Sequence, residues 1–254
     1  MAQTGVEFEV IVVDDGSTDR TRQIAESFAN VRVIEAGSLP QGWTGKSHAA
    51  FTGAQQARGE WLLFTDADTV HKPGSLARGV AEAREHGAAL LSYSPEQEVH
   101  GLAQRALMPL VFAELACQYK PREVCDPASA TAAANGQYLL ISREAYEAIG
   151  GHSAVAGDLL EDVALARAVK RSGRKLRFRF GGDAVRTWMY RSFAQMREGW
   201  TKNLALLFPS PGRLAALRMA EFVGSTVALS VAIAAGALGA YKVALVCGAV
   251  AVPT

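Results

Sequence analysis

Glu9-Val10-Ile11-Val12-Val13-Asp14-Asp15 and Trp61-Leu62-Leu63-Phe64-Thr65-Asp66-Ala67-Asp68 share one arrangement, a short apolar run that stops on a pair of carboxylates. Both runs are β-branched or aromatic and apolar at successive positions, which predicts strands buried on both faces, as in a parallel sheet. In open α/β sheets, ligands bind beyond the carboxyl ends of such strands. Carboxylates delivered twice to that edge are costly to leave unpaired, so a divalent cation or a polar ligand is their natural partner.

Outward from these runs, strand and helix signals alternate. Asp15-Gly16-Ser17-Thr18-Asp19 makes a turn and caps a helix expected to run to about Asn30, and Val31-Arg32-Val33-Ile34 gives the next strand. A loop from Gly37 to Gly45 leads into a helix from Ser47 to about Arg58, ended by Gly59. Pro73 opens another helix, and Ala88 to Tyr93 reads as a strand. Tyr138 to Ser142 is a strand, Arg143 to Ile149 a short helix, and a helix begins near Glu161 and runs to Gly173. The alternation predicts an α/β fold, a mainly parallel sheet flanked by helices. Leu102 to Tyr119 is a helix with few charges, whose apolar run at 107–112 suits either a membrane surface or internal packing.

The 254 residues suffice for one core and an appendage. A net charge of +1 argues against a dedicated nucleic-acid binder, whose affinity comes from neutralising phosphates. Basic residues nevertheless crowd the stretch from Lys170 through Arg177, Arg179 and Arg186 to Lys202. Two readings stay open for them, a cationic face beside a membrane or diphosphate and a solvated helix face. Cys117, Cys125 and Cys247 show no CxxC spacing, so neither a disulfide framework nor a zinc site is expected. The first residues, interrupted by Glu7 and Glu9, do not read as a secretory leader. Phe222 to Tyr241 carries no charge and matches the roughly 20 residues that cross a bilayer as a helix. Its glycines and alanines suit a membrane helix better than a soluble core. A second apolar run, Val243 to Val252, reads as part of a helical hairpin. Arg213 and Arg218 just before the span place the preceding domain in the cytoplasm.

Asp66-Ala67-Asp68 is a DxD tripeptide, in which one carboxylate can reach a metal while the other reaches a sugar or ribose hydroxyl. Magnesium or manganese held this way keeps positions open for a diphosphate. Gly45-Lys46-Ser47 has the look of a P-loop end, but Pro40 stands where that motif needs glycine, so a nucleotide hydrolase is not indicated. Lys46 at a helix N-terminus still suits a phosphate or a carboxylate. Glu161-Asp162 opens a helix, where acidic side chains are ordinary partners of the dipole.

Taken together, Val13-Asp14-Asp15-Gly16-Ser17-Thr18-Asp19, the DxD, Glu161-Asp162 and the trailing apolar segment resemble the family-two inverting glycosyltransferases of the GT-A fold. Leu39-Pro40-Gln41-Gly42-Trp43-Thr44-Gly45-Lys46, Thr65 to Thr69 and Asn135-Gly136-Gln137-Tyr138-Leu139-Leu140 are similar to the bacterial branch associated with carotenoid and hopanoid glycosylation. The resemblance implies that Asp14 and Asp15 contact the nucleoside and Lys46 the nucleotide region. It implies Asp68 as the ligand of Mg2+ or Mn2+, with Asp66 nearby. Asp162 becomes the general base, its pKa lowered by the helix start, and Glu161 orients it or the acceptor. Family members carry QxxRW after the base; Gln195-Met196-Arg197-Glu198-Gly199-Trp200 is a respaced version, which assigns Arg197 and Trp200 to diphosphate and acceptor. His71 lies near the metal motif and His152 near the acceptor side, each also readable as an ordinary structural histidine.

The expected protein is a metal-dependent enzyme at the cell inner membrane, its catalytic domain facing the cytoplasm. It moves a sugar from a nucleotide-diphosphate sugar to a lipid or isoprenoid hydroxyl. Residues 1–210 form the catalytic domain, expected to lack a first strand with which the family begins, and 211–254 the membrane anchor, expected to be truncated because the run from Val243 to Val252 is too short to span. Rival readings are a polyprenyl-phosphate or polysaccharide glycosyltransferase, and an inactive nucleotide-sugar-binding membrane scaffold.

Overall fold

The first carboxylate-ended run folds as β1, Val10–Asp14, and is followed by α1, Thr21–Glu26, and β2, Val31–Glu35. In the computed structural model, which describes residues 3–240, β1 and β2 pair in parallel from Val10 opposite Val31 to Asp14 opposite Glu35. They form a sheet of two strands, and β1 pairs with no other strand among the described residues. One link to the rest of the fold is α2, Gly45–Gln56, which starts where the Thr44 side chain accepts the Ser47 amide at 3.2 Å; another is the Gln3 side chain, which donates to the Lys72 carbonyl at 2.9 Å. After α2, the Arg58 amide donates to Glu9 at 2.6 Å, and the Arg32 guanidinium reaches the Gln56 carbonyl.

The second carboxylate-ended run is β3, Trp61–Phe64, followed by β4, Thr69–His71, α3, Ser75–Glu85, β5, Ala88–Ser94, and β6, Glu96–Gln97. Next come α4, Gly101–Gln118, α5, Pro121–Cys125, β7, Leu139–Ser142, and α6, Arg143–Ala148. A 3-10 turn at Gly151–Val155, α7, Glu161–Arg171, β8, Lys175–Phe180, and β9, Val185–Thr187, follow. The central sheet has the order β3-β7-β5-β8, and the small sheet the order β4-β9-β6.

The α/β layering agrees with the alternation of signals in the sequence, but the sheet is mixed. β7 runs antiparallel to both β3 and β5, and only β5 and β8 pair in parallel. A doubly buried strand reads as an apolar run whichever way it points, so the pattern carries no direction. Alternate residues of the inner strands serve two cores, as the period of two requires. Leu90, Leu139 and Ile141 pack with Leu165 and Val169 of α7. Leu91, Tyr93 and Leu140 pack with Ala83 of α3 and Val185.

The basic stretch is not one continuous face. Its middle forms β8, whose Arg177 and Arg179 both bind Glu82, at 3.1 and 3.0 Å, whereas Arg191, Arg197 and Lys202 stay exposed. Lys170 is spent on carbonyls, of Glu123, Val124 and Thr131.

The chain divides into a first unit, Met1–Met196, and a second, Arg197–Thr254. α8, Phe193–Leu207, crosses that boundary, and α9, Pro211–Ala237, lies wholly in the second unit. α9 is long and apolar enough to cross a membrane and is almost entirely exposed, unlike the core helix of a soluble domain. Val243 to Val252 lies outside the described residues.

Candidate active site

The antiparallel course of β7 decides what meets at the carboxyl edge of the sheet. Because β7 enters where β3 leaves, the loop before it, Asn135 to Gln137, sits beside the DxD: the Thr65 hydroxyl donates to the Gln137 carbonyl at 3.0 Å. That loop is rigidly held. The Asn135 amide donates to the buried Ser92 hydroxyl at 2.8 Å, and the Gln137 amide to the Asn135 side chain at 2.9 Å. Its central amide, that of Gly136, then points to Asp162 and donates to Oδ2 at 2.8 Å.

Lys46 joins the two acidic groups. From the first turn of α2 its ammonium lies 2.9 Å from Asp66 Oδ1 and 2.9 Å from Glu161 Oε1. Burial works against its charge, but Asp66 and then Glu161 outweigh this and hold its pKa above the ordinary lysine value. Two glycines make the approach feasible. A Cβ at Gly136 would stand 2.9 Å from Lys46 Nζ, and one at Gly45 would stand 2.7 Å from Asp15 Oδ2. Asp15 therefore borders the start of α2, while Asp14 is buried and accepts the Ser17 amide at 3.2 Å.

Asp162 departs from the expected electrostatics. Its pKa is pushed up to about 6, first by burial and then by the Glu161 charge, with Lys46 and the Val163 and Gly136 amides pulling the other way. The helix start does not prevail, because desolvation and a like charge outweigh the dipole. Asp68 is also raised, by burial and then by Asp66. Its carbonyl accepts the Thr187 hydroxyl at 3.2 Å, which ties the DxD to β9. Among the described residues no group of three or more His, Cys, Asp or Glu side chains gathers to hold a metal ion. A cation here would have to share its ligands with a bound diphosphate.

The two histidines are structural. His71 lies 2.9 Å from the Thr65 hydroxyl and against the Tyr138 ring, and burial lowers its pKa. His152 is 2% exposed, bonded to the Tyr146 hydroxyl at 2.8 Å and edge-on to Phe64, so it lines no open acceptor site. Burial, then the Lys46 charge, lowers it to about 4. Arg197 and Trp200 lie on α8 in the second unit, and the cluster of the first unit is built without them.

The first part of the chain is matched by a family model. That described as Glycosyl transferase family 2 covers residues 1–150, more than half of the chain. The chain belongs to glycosyl transferase family 2. The matched span takes in Asp15, Lys46, Asp68 and Gly136 and ends before Glu161 and Asp162. Among family relatives, the 4,4'-diaponeurosporenoate glycosyltransferase of Staphylococcus aureus (strain bovine RF122 / ET3-1) is 29% identical over 211 residues, 80% of this chain and 55% of that protein. Its namesake in Staphylococcus haemolyticus is 29% identical over 215 residues, 81% of this chain and 56% of the relative. The chain thus spans just over half the length of these relatives. The S. aureus TarS crystal structure superposes with a TM-score of 0.51 at 19% identity, over 78% of this chain and 34% of that one, which shows a shared fold. The GT-A-like α/β expectation, and the likeness to carotenoid-related members of glycosyl transferase family 2, both stand.

Sequence reasoning quoted Asn135-Gly136-Gln137 for its resemblance but gave Gly136 no role, and it missed Ser92. A glycine between Asn135 and Gln137, directly before an apolar strand, was the available signal for the first. Ser92 sits inside a buried strand and gives none.

Proposed function

We propose that this chain is the catalytic part of a membrane-anchored inverting glycosyltransferase, which uses a divalent metal to move a sugar from a nucleotide-diphosphate sugar to a lipid or isoprenoid acceptor. The observation that carries this reading is the Lys46 ammonium, 2.9 Å from both Asp66 and Glu161, because it gathers the strand-end and helix-start carboxylates into one site.

Asp68 suits Mg2+ or Mn2+, since a carboxylate raised by burial and a like-charged neighbour is short of a cation partner, and such ions need only one or two protein carboxylates. When bound, the ion supplies positive charge for the departing diphosphate. Asp14 and Asp15, at the end of β1, hold the nucleoside. Lys46 serves the nucleotide side while holding Glu161 in place. Asp162, oriented by the Gly136 amide, takes the acceptor proton as the acceptor oxygen displaces the diphosphate in line. Arg197 and Trp200 retain the diphosphate and acceptor roles implied by the respaced motif. Arg213 and Arg218, in the opening turns of α9, support an inner-membrane location with the first unit in the cytoplasm.

The relatives' name denotes a carboxylate, diaponeurosporenoate. Such an acceptor arrives ionised and asks little of a base, whereas a hydroxyl needs one. The Asp162 electrostatics favour the hydroxyl, because a carboxylate held near neutrality is tuned for proton transfer. Screening radiolabelled nucleotide sugars against membrane lipid extracts tests the reading; no label in any lipid with any donor would overturn it.

The pH dependence carries a sign. A base must be ionised, so transfer to a hydroxyl should fall on acidification through about pH 6. Lys46 lowers the Asp162 pKa, so Lys46→Met should move this acid limb to higher pH. A pH–rate profile of the two proteins checks it, and a limb that stays in place would remove Lys46 from the environment of the base.

A further inference from the structure

α4 is apolar on both of its sides, and only one of them is covered. Gln104 and Met108 face inward, 6% and 4% exposed. On the opposite side Leu102, Ala103, Ala106, Pro109, Leu110 and Ala113 recur at helical spacing and are all exposed, Leu102 to 87% and Leu110 to 63%. Arg105 is the one charge between Gly101 and Glu114. A helix that is apolar all round is normally enclosed by protein or lipid.

The surroundings have the chemistry of a membrane interface. At the start of α4, His100 packs at a tilt against Trp188 with ring centres 4.7 Å apart, and the Arg191 guanidinium lies 5.6 Å over the same ring. Trp188 is 41% exposed. An indole with a wet edge beside cations is typical of the headgroup layer. The acids nearby are already taken, Glu96 by Lys72 and Glu98 by Arg186, at 3.0 Å each. Arg105 and Arg191 are left to meet negative charge.

The covered side of α4 ties the helix to the site. The Gln104 side chain donates to the Tyr190 carbonyl at 2.9 Å, three residues along the chain from Thr187, whose hydroxyl holds the Asp68 carbonyl.

We propose that the outer face of α4, with Trp188 at its rim, rests on an anionic lipid bilayer and brings the donor edge of the first unit to an acceptor held in the leaflet. Charge complementarity selects this occupant: a second copy seated on the same face by two-fold symmetry would bring two faces that both carry Arg105 and Arg191 together. The same chain also carries α9, apolar, exposed and long enough to span a bilayer. The lipid contact stands on its own; only the acceptor half rests on the glycosyltransferase reading.

The test uses the full chain, its three native cysteines changed to serine, in vesicles of phosphatidylcholine with a minority of phosphatidylglycerol. An environment-sensitive fluorophore on Leu110→Cys should shift to the blue and be quenched by lipids bearing a nitroxide on the acyl chain. The same label on Glu144→Cys, in the exposed first turn of α6, should not respond. With Leu102→Glu and Leu110→Glu combined, transfer to a bilayer acceptor should fall by roughly tenfold or more, the scale of losing two leucines from an apolar phase, while donor affinity is unchanged. A Leu110 label that stays water-exposed on vesicle-bound protein overturns the proposal. So does a label shielded without vesicles in a protein of twice the mass, which would give the face to a second copy. Quenching that persists in a protein unable to bind any nucleotide sugar would uphold the lipid face and sink the enzyme reading instead.

Discussion

Asp162→Asn should retain donor affinity and lose transfer to a hydroxyl acceptor by roughly 10²–10⁴-fold, the usual worth of a positioned general base. The amide can still accept the Gly136 N–H through its oxygen, so the loop from Asn135 to Gln137 and the start of α7 keep their geometry. What disappears is the proton acceptor, together with one of two adjacent negative charges. The donor contacts proposed for Asp14, Asp15 and Lys46 are left in place. Isothermal titration with a nucleotide sugar, beside initial rates, separates the two effects; equal collapse of both would make Asp162 structural. The same variant discriminates acceptors. A carboxylate acceptor is already ionised and should lose far less rate than a hydroxyl, so comparing the two assigns the acceptor class directly.

The second large effect is expected from Asp68→Asn. Substituting a neutral amide removes the charge that, with Asp66, makes the end of β3 attractive to a divalent cation, and it leaves the backbone bond to Thr187 intact. Metal-dependent donor affinity should drop by about 2–5 kcal/mol, the range for deleting one partner of a close charge pair. The thermal midpoint without metal should hold or rise slightly, since a carboxylate strained by burial and by Asp66 has been relieved. Titration of manganese and a nucleotide sugar against both proteins decides it. Unchanged affinity would take Asp68 out of the site.

Much of this arrangement was legible in the sequence, for identifiable reasons. Strands that end on carboxylates announce themselves because burial and charge change abruptly at one residue, and both Asp14 and Asp66 stand at that change. The direction of β7 was not legible, and with it went the role of Gly136, since only an antiparallel strand starts at the edge where β3 stops. β4, β6 and β9 are two or three residues long, too short for a period to register. β8 is different: Lys175-Leu176-Arg177-Phe178-Arg179-Phe180 alternates strictly, and the pattern was there to be read beneath the count of basic residues. Lys46 was placed correctly at a helix start, but which acids it serves depends on residues 20 and 115 positions away, beyond any local pattern.

The slender attachment of β1 has a consequence for how the site works in time. β1 has hydrogen-bonded strand pairing only with β2 among the described residues, its apolar side chains are only partly buried, and it is tied to the body by contacts through Glu9, Arg32, α2 and the preceding Gln3 side chain, which bonds to Lys72, Ser75 and Leu76. Such a piece is a candidate for opening as a cooperative unit at a free energy well below that of global unfolding. Asp14 and Asp15 ride on this piece, while Gly136, Glu161 and Asp162 belong to the body. A donor that touches both stabilises the joined state by RT ln(1 + [L]/Kd), about 2.7 kcal/mol at a hundred times its dissociation constant. Amide exchange in β1 and β2 should therefore slow in the presence of donor far more than exchange in β5 or β7, with the ligand serving as the fastener between the two pieces.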